Sequence, residues 1–318
     1  MDKVKSVVFP ESRKIELTEF DKPEISEDSL LLDVEICGMC GTDIDIYEGS
    51  FEGISFPLIP GHEFVGIVEK IGERAGKSMI TFGGALEEGD RVAVKPRIPC
   101  GRCYYCRMYP HREELCGDAF VYGGTTCRDF PHLFGAWSQY IYLLPRTRLF
   151  KLPQDIDPKV VVLTEPLASG LRAVERAKGP SDATKGDGLG IGDSIVIQGA
   201  GSMGHMVLIA AKLSGVGKII VIDREDHRLS MARQFGADYV INMQEVDDSE
   251  KRIEEVSELT GGVGADVVLE CAGAPSAIPE GIRMVRRGGK YIELGVVIEN
   301  ARVEVAPYDI CRKEIQLI

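Results

Sequence analysis

The sequence predicts an α/β protein in two parts, a β-rich N-terminal half followed by a doubly wound parallel sheet of six strands. Three observations carry this. Short strands bounded by turn formers run to about residue 150, and strands alternating with helices begin at Ser194. The run Gly199-Ala200-Gly201-Ser202-Met203-Gly204 follows an apolar strand and opens a helix. The run Cys100-Gly101-Arg102-Cys103-Tyr104-Tyr105-Cys106, with Cys116 ten positions beyond, sits in the β-rich half at metal-ligand spacing. At 318 residues the chain is long enough for two domains, placed at 1–166 and 167–318.

Composition narrows the function. A net charge of -13 repels phosphate backbones, so no nucleic-acid partner is expected. No apolar run approaches the roughly 20 residues of a membrane span, and Met1-Asp2-Lys3-Val4 opens no signal peptide. Nine cysteines without a secretory leader point to a reducing compartment, and a cytoplasmic location is expected.

Strands are predicted at Val4–Phe9, Lys14–Thr18 and Leu30–Ile36, separated by Pro10, Pro23 and Asp28. The third ends in Cys37-Gly38-Met39-Cys40-Gly41-Thr42-Asp43, and a turn at Pro60-Gly61-His62-Glu63 leads into another alternating strand. Each of these residues has an ordinary alternative: His62 as a core residue, Cys37 with Cys40 as a redox pair. Together, cysteine, histidine and glutamate offer the donors of a metal site. Residues 72–90 read as a long Gly-rich surface loop before a strand opening at Arg91. The four-cysteine stretch then suits a closed tetrahedral zinc site, with disulfides or a DNA-binding ribbon as the weighed alternatives. Arg102, Arg107 and Arg112 lie near enough in sequence to offset part of its charge. Cys127 and His132 lack partners at metal spacing and are read as structural, and Tyr140–Leu144 as a strand.

In the second half, Gly199 allows a tight turn, Gly201 lets backbone approach a pyrophosphate, and Gly204 lets helix meet strand. The helix entered through Ser202 and Met203 offers free N–H groups to the phosphates. Asp223, ending the next strand, suits the ribose hydroxyls and favours NAD. Arg224 beside it could receive a 2′-phosphate, which leaves NADP the less favoured cofactor. Further strands are predicted at Tyr239–Asn242, Asp266–Glu270, Lys290–Leu294 and Glu314–Ile318, with helices over Asp248–Leu259 and Ser276–Val285.

Taken together, Cys40-Gly41-Thr42-Asp43, Gly61-His62-Glu63 and the four-cysteine stretch resemble the zinc-containing medium-chain alcohol and polyol dehydrogenases, over nearly the whole chain. Glu165, in Leu163-Thr164-Glu165-Pro166, stands where simple alcohol dehydrogenases have cysteine, as in the sorbitol and threonine dehydrogenase-like branch. The resemblance implies a groES-like first domain, a Rossmann second domain, and two zinc ions. It assigns Cys40, His62, Glu63 and Glu165 to catalytic zinc, and Cys100, Cys103, Cys106 and Cys116 to structural zinc. Glu63 and Glu165 are not expected to hold the ion together, because two carboxylates would leave it a poorer Lewis acid. Thr42 would relay the substrate proton; Asp45, where relatives carry histidine, either ends that relay or is a surface residue. Gly295 and Val296 would face the nicotinamide.

The activity so implied is hydride transfer from a secondary alcohol or polyol to NAD, giving a ketone or aldehyde, by a homodimer or homotetramer. Two alternatives share the architecture: a zinc-free quinone or enone reductase, which metal content distinguishes, and a non-catalytic NAD-binding homologue, which binds NADH without turnover. By the same resemblance, several dozen further residues are expected after the last strand, returning to complete the first domain.

Overall fold

The computed structural model describes residues 2–178, 189–295 and 301–318. The chain forms two compact units, Met1–Glu165 and Pro166–Ile318.

The first unit opens with an antiparallel pair, β1 (Lys3–Val8) and β2 (Glu16–Asp21). The second strand lies later than the predicted Lys14–Thr18, because pairing with β1 sets its register from Glu16 opposite Val8 to Asp21 opposite Lys3. Next come β3 (Leu30–Cys37), helix α1 (Gly41–Glu48) and β4 (Phe64–Ile71). The predicted 72–90 loop is partly ordered instead: it holds α2 (Ala75–Ser78) and β5 (Ile80–Phe82). Ala75 and Met79 are buried there, and β5 gains a partner that sequence spacing could not reveal.

The unit continues through β6 (Arg91–Lys95), β7 (Arg97–Ile98), α3 (Tyr104–Met108), β8 (Phe120–Val121), β9 (Tyr140–Leu143) and β10 (Arg148–Lys151). Six of these strands form one sheet in the order β5-β10-β6-β4-β3-β9, antiparallel except where β5 joins β10. Its core is built on Leu30, Leu32, Val68, Val92, Ile141 and Leu149, all essentially inaccessible to solvent. Helix α4 (Pro158–Val161) comes next, capped by Asp157, whose carboxylate accepts the Lys159 N–H. Helix α5 (Thr164–Ala177) carries the chain from one unit to the other.

The second unit repeats strand and helix: β11 (Ser194–Gln198), α6 (Ser202–Leu213), β12 (Lys218–Asp223), α7 (Asp226–Gln234), β13 (Tyr239–Asn242), α8 (Ser249–Leu259), β14 (Ala265–Glu270), α9 (Ala277–Met284), β15 (Val285–Glu293), α10 (Pro307–Lys313) and β16 (Gln316–Leu317). The sheet is parallel, in the order β13-β12-β11-β14-β15-β16. That is the strand order of a dinucleotide-binding Rossmann sheet. Alternate side chains of the strands serve opposite faces. Ile195, Ile197, Ile219 and Val221 meet α5, α6 and α7, whereas Val196, Ile220, Ile222 and Val268 meet α8, α9 and α10.

Three boundaries differ from expectation. β15 begins at Val285, not Lys290, because the strand absorbs the Arg287-Gly288-Gly289 turn through an irregular register against β14. Helix α10 has no counterpart among the expected elements. Ile310 packs on the core, and Lys313 Nζ donates to the Arg283 and Val285 carbonyls, 2.8 and 3.1 Å away, at the end of α9. The last strand shortens to two residues because Glu314 takes a left-handed φ of 54° to end that helix. Within the predicted connection at 179–193, only residues from 189 onward belong to the described parts.

Candidate active site and cofactor-binding loop

Strand pairing assembles the first cluster. Cys37 lies opposite Phe64, and the Gly38 N–H donates to the Glu63 carbonyl at 2.7 Å, so the end of β3 meets the start of β4. Gly61, at φ 94°, makes the turn that presents His62 and Glu63. Gly38 has a separate role, since a Cβ there would overlap the Glu63 carboxylate. Cys40 sits at the N-cap of α1. Ligand atoms of Cys40, His62 and Glu63 all lie within 4.8 Å of one another.

Behind them is Asp43, 1% exposed, for which the sequence offered no role. Its Oδ2 accepts the Cys40 N–H at 2.9 Å, and its Oδ1 accepts the Gly61 N–H at 3.2 Å. The same Oδ1 lies 3.6 Å from His62 Nδ1. One buried carboxylate therefore orients both donor-bearing segments, the arrangement that fixes a ligating imidazole and its tautomer. The signal was present in the sequence as an acidic residue three positions after Cys40, but its meaning depends on the turn at Gly61 closing over it.

Thr42 Oγ1 is 3.7 Å from the Cys40 sulfur. Asp45 is half-buried on α1, one turn beyond Thr42. Cys37 stands apart, its sulfur donating to the Gly38 carbonyl at 3.2 Å. Burial, with Asp43 and Glu63 nearby, pushes its thiol up to about 12, a poor state for a redox partner.

Glu165 does not join the 4.8 Å group, yet it feels the charges of both His62 and Glu63. Burial, then the neighbouring Glu63, raises its carboxyl above the ordinary range, against the pull of His62. Glu63 is raised in the same way, by burial and then by Asp43. Burial acts to lower His62, but Asp43 and Cys40 outweigh it and carry the imidazole up to about 10. The cluster thus holds more acids than cations. A divalent ion would supply the missing positive charge, and the sulfur, nitrogen and carboxylate donors suit zinc.

The second cluster is the four-cysteine lobe. Cys100, Cys103, Cys106 and Cys116 bring their sulfurs within 4.8 Å of one another. The Cys100–Cys106 and Cys103–Cys116 sulfur separations are both 3.9 Å. Zinc–sulfur bonds of 2.3 Å at tetrahedral angles require about 3.8 Å. All four thiols are free, which excludes disulfides in this arrangement. Backbone N–H groups wrap the sulfurs: those of Cys103, Cys106 and Cys100 point to Cys100, Cys103 and Cys116 at 3.4, 3.5 and 3.3 Å. Such donors pull the Cys100 thiol down to about 6. The arginines that grip the lobe's backbone are Arg97, on the Cys116 carbonyl, and Arg146, on those of Pro99 and Cys100. Arg112 pairs with Glu114 instead.

In the second unit, Gly199 has φ 96°, and its N–H donates to the Ile222 carbonyl at 2.7 Å. Around Gly201 a Cβ would meet only open space, so backbone is accessible there; at Gly204 it would overlap the Gly199 carbonyl. Ser202 and Met203 open α6. Asp223 is 6% exposed, with Oδ2 accepting the Ala200 N–H at 2.6 Å and Oδ1 the Glu225 N–H at 2.8 Å. Arg224 is exposed, 3.6 Å from Glu225. Gly295 donates its N–H to the Glu270 carbonyl at 2.9 Å, and any side chain there would strike the Glu270 carboxylate. Val296 lies outside the described residues. Among the described residues, no helix is long and apolar enough to cross a membrane.

A GroES-like β unit with two donor clusters, joined to a Rossmann unit, defines a class of zinc-containing dehydrogenase. Comparison with known proteins agrees. Residues 26–154 match the alcohol dehydrogenase GroES-like domain, and residues 202–318 match the zinc-binding dehydrogenase family. The sorbitol dehydrogenase of Bacillus subtilis is 33% identical over 300 residues, spanning 93% of this chain and 76% of that protein. The erythritol/L-threitol dehydrogenase of Mycolicibacterium smegmatis is 31% identical over 312 residues, spanning 95% and 79%. An alcohol dehydrogenase from Thermotoga maritima has a TM-score of 0.88 at 29% identity, covering 100% of this chain and 84% of that one. A protein from Sinorhizobium meliloti described as a zinc-binding dehydrogenase, bound to NADP, has a TM-score of 0.85 at 28% identity, covering 100% and 84%. The chain belongs to the zinc-binding medium-chain alcohol and polyol dehydrogenase family.

Proposed function

We propose that this chain oxidises a secondary alcohol or polyol, passing hydride to NAD and releasing a ketone or aldehyde. The observation that carries the reading is the convergence of Cys40, His62 and Glu63 within 4.8 Å, with buried Asp43 behind them. Zinc held there would supply Lewis acidity, lowering the pKa of a hydroxyl presented to it. Asp43 keeps the imidazole of His62 aimed and the α1 N-terminus in place. Thr42, beside the Cys40 sulfur, is placed to accept the substrate proton and pass it on. Glu165, which feels the charges of His62 and Glu63, would be the reserve carboxylate. The four-cysteine lobe would hold a second, structural zinc.

In the Rossmann unit, the Gly199–Gly204 turn and the α6 N-terminus would receive the pyrophosphate. Asp223 favours the ribose diol of NAD, while exposed Arg224 is the feature that would admit NADP. Similarity to sorbitol and erythritol/L-threitol dehydrogenases supports a polyol substrate.

The test is nicotinamide absorbance with NAD and with NADP across a panel of alcohols, polyols and hydroxy-amino acids, beside a chelator control. Chelator-sensitive NADH formation is expected, and Cys40→Ser should abolish it while leaving NADH binding intact. Normal turnover by Cys40→Ser would favour a zinc-independent reductase chemistry instead.

A further inference from the structure

We propose that Arg91 is the positioning residue that sets Glu165 at the metal centre, acting through the segment that leads into α5. The inference rests on the reading of Glu165 as a zinc-facing carboxylate.

Arg91 opens β6 and is 7% exposed. Its Nε and Nη2 make two parallel bonds to the Glu35 carboxylate on β3, 2.6 and 2.8 Å long. Its Nη1 donates to three carbonyls of one turn, Pro153 at 3.2 Å, Gln154 at 3.0 Å and Ile156 at 2.8 Å. Gln154 also reaches back to the Gly89 carbonyl at 3.0 Å, and the Leu152 N–H donates to the Arg91 carbonyl at 2.9 Å. One guanidinium therefore ties residues 153–156 to two strands of the sheet.

The segment from that turn to Glu165 is equally fixed. Asp157 caps α4, and Val161 and Val162 are buried against Val65 and Ala93. Thr164 Oγ1 donates to the Val161 carbonyl at 2.6 Å, and Glu165 is the next residue. Val65 lies two positions beyond Glu63 at the start of β4, so this packing places the Glu165 backbone relative to Glu63. From Arg91 to Glu165 the backbone has little freedom, and the carboxylate has only its own rotamers left. Because Glu165 lies outside the 4.8 Å group, the position of this segment decides how closely its carboxylate approaches an ion there. Lysine cannot replace this device. A guanidinium offers five donors in a planar fork, whereas an ammonium offers three from one point.

The experiment tracks the release of each zinc from the zinc-loaded protein to a chromogenic chelator, with metal content per chain. It compares wild type, Arg91→Lys, Glu165→Gln and the double variant. Arg91→Lys should release one zinc roughly 10-fold faster, the lower end of what losing a ligand's own outer partner costs, because Arg91 acts through backbone and not on a ligand. The four-cysteine zinc should leave at the wild-type rate. The double variant should release the first zinc no faster than Glu165→Gln alone, because both changes act through one carboxylate. A merely structural arginine would instead speed loss of both ions, or add its effect to that of Glu165→Gln; either result overturns the proposal. So does wild-type release from Arg91→Lys when Glu165→Gln is fast. If Glu165→Gln itself releases zinc normally, the ligand reading fails first, and the proposal with it. Should Arg91→Lys not fold, Glu35→Gln carries the same comparison, since it leaves the guanidinium present and loosens its anchor.

Discussion

At the scale of single residues, the candidate metal centre depends on a carboxylate that is not itself a donor. Asp43 touches Cys40, Gly61 and His62 from one buried position. Asp43→Asn keeps the shape and removes the charge, so zinc affinity at this site should fall by roughly 10–100-fold. Competition with a chelator of known affinity would measure it, and unchanged affinity would reduce Asp43 to a helix cap. That Cys40, His62 and Glu63 converge was expected from their donor types and from the family resemblance. The role of Asp43 was not, because it arises only when the turn at Gly61 closes over α1. The arginines bonded to the lobe's backbone were not foreseen, for the same reason. Arg102, Arg107 and Arg112 are near in sequence, whereas the arginines that grip the lobe, Arg97 and Arg146, flank it on either side along the chain.

At the scale of elements, the parallel sheet was legible because its strands are short apolar runs between helices, and such runs have few other uses. Its outer edge was less so. Strand β15 starts early by bridging two glycines, and α10 is held by packing of Ile310 and by the Lys313 contacts. The 72–90 stretch misled because polar, Gly-rich composition resembles a loop, while β5 owes its existence to the neighbouring β10.

Within the sheet, Asp266 joins three strands: it accepts the N–H and hydroxyl of Ser194 at 2.8 and 2.7 Å and pairs with Arg286 at 2.6 Å. Burial works to raise its pKa, but the Ser194 donors and the Arg286 guanidinium outweigh burial and hold it below the ordinary carboxylate range. A depressed folded value means the stabilisation is complete above the unfolded pKa of about 3.9 and is lost as pH falls through the lower folded value. Asp266→Asn should therefore cost about 1–3 kcal/mol near neutrality and flatten the acid limb of the stability curve. Urea unfolding at pH 7 and pH 3 would test it; equal losses at both would contradict the linkage.

At the scale of the whole molecule, each unit has its own core, one around the six-stranded mixed sheet and the other on both faces of the parallel sheet. The lobe from Cys100 to Cys116 adds little to the first core, since Cys116 and Glu113 are the only buried side chains among its described residues. On the proposed reading its order would come from metal, as in other small thiolate-bound folds. Stripping zinc should raise amide hydrogen exchange sharply across residues 100–116, while β11, β12 and β14 keep their protection. Peptide-level exchange with mass spectrometry distinguishes this from general unfolding. Uniform loss across both units would show that the lobe's metal supports more than the lobe.

The burial of Asp223 bears on engineering. Its two oxygens already brace the Ala200 and Glu225 amides, so the side chain that would read the ribose is also a strut of the turn that would receive the phosphates. Redirecting coenzyme choice by exchanging this residue alone would therefore weaken the grip on either coenzyme before altering the choice between them. A successful swap would have to begin at exposed Arg224 and leave Asp223's two amide bonds in other hands.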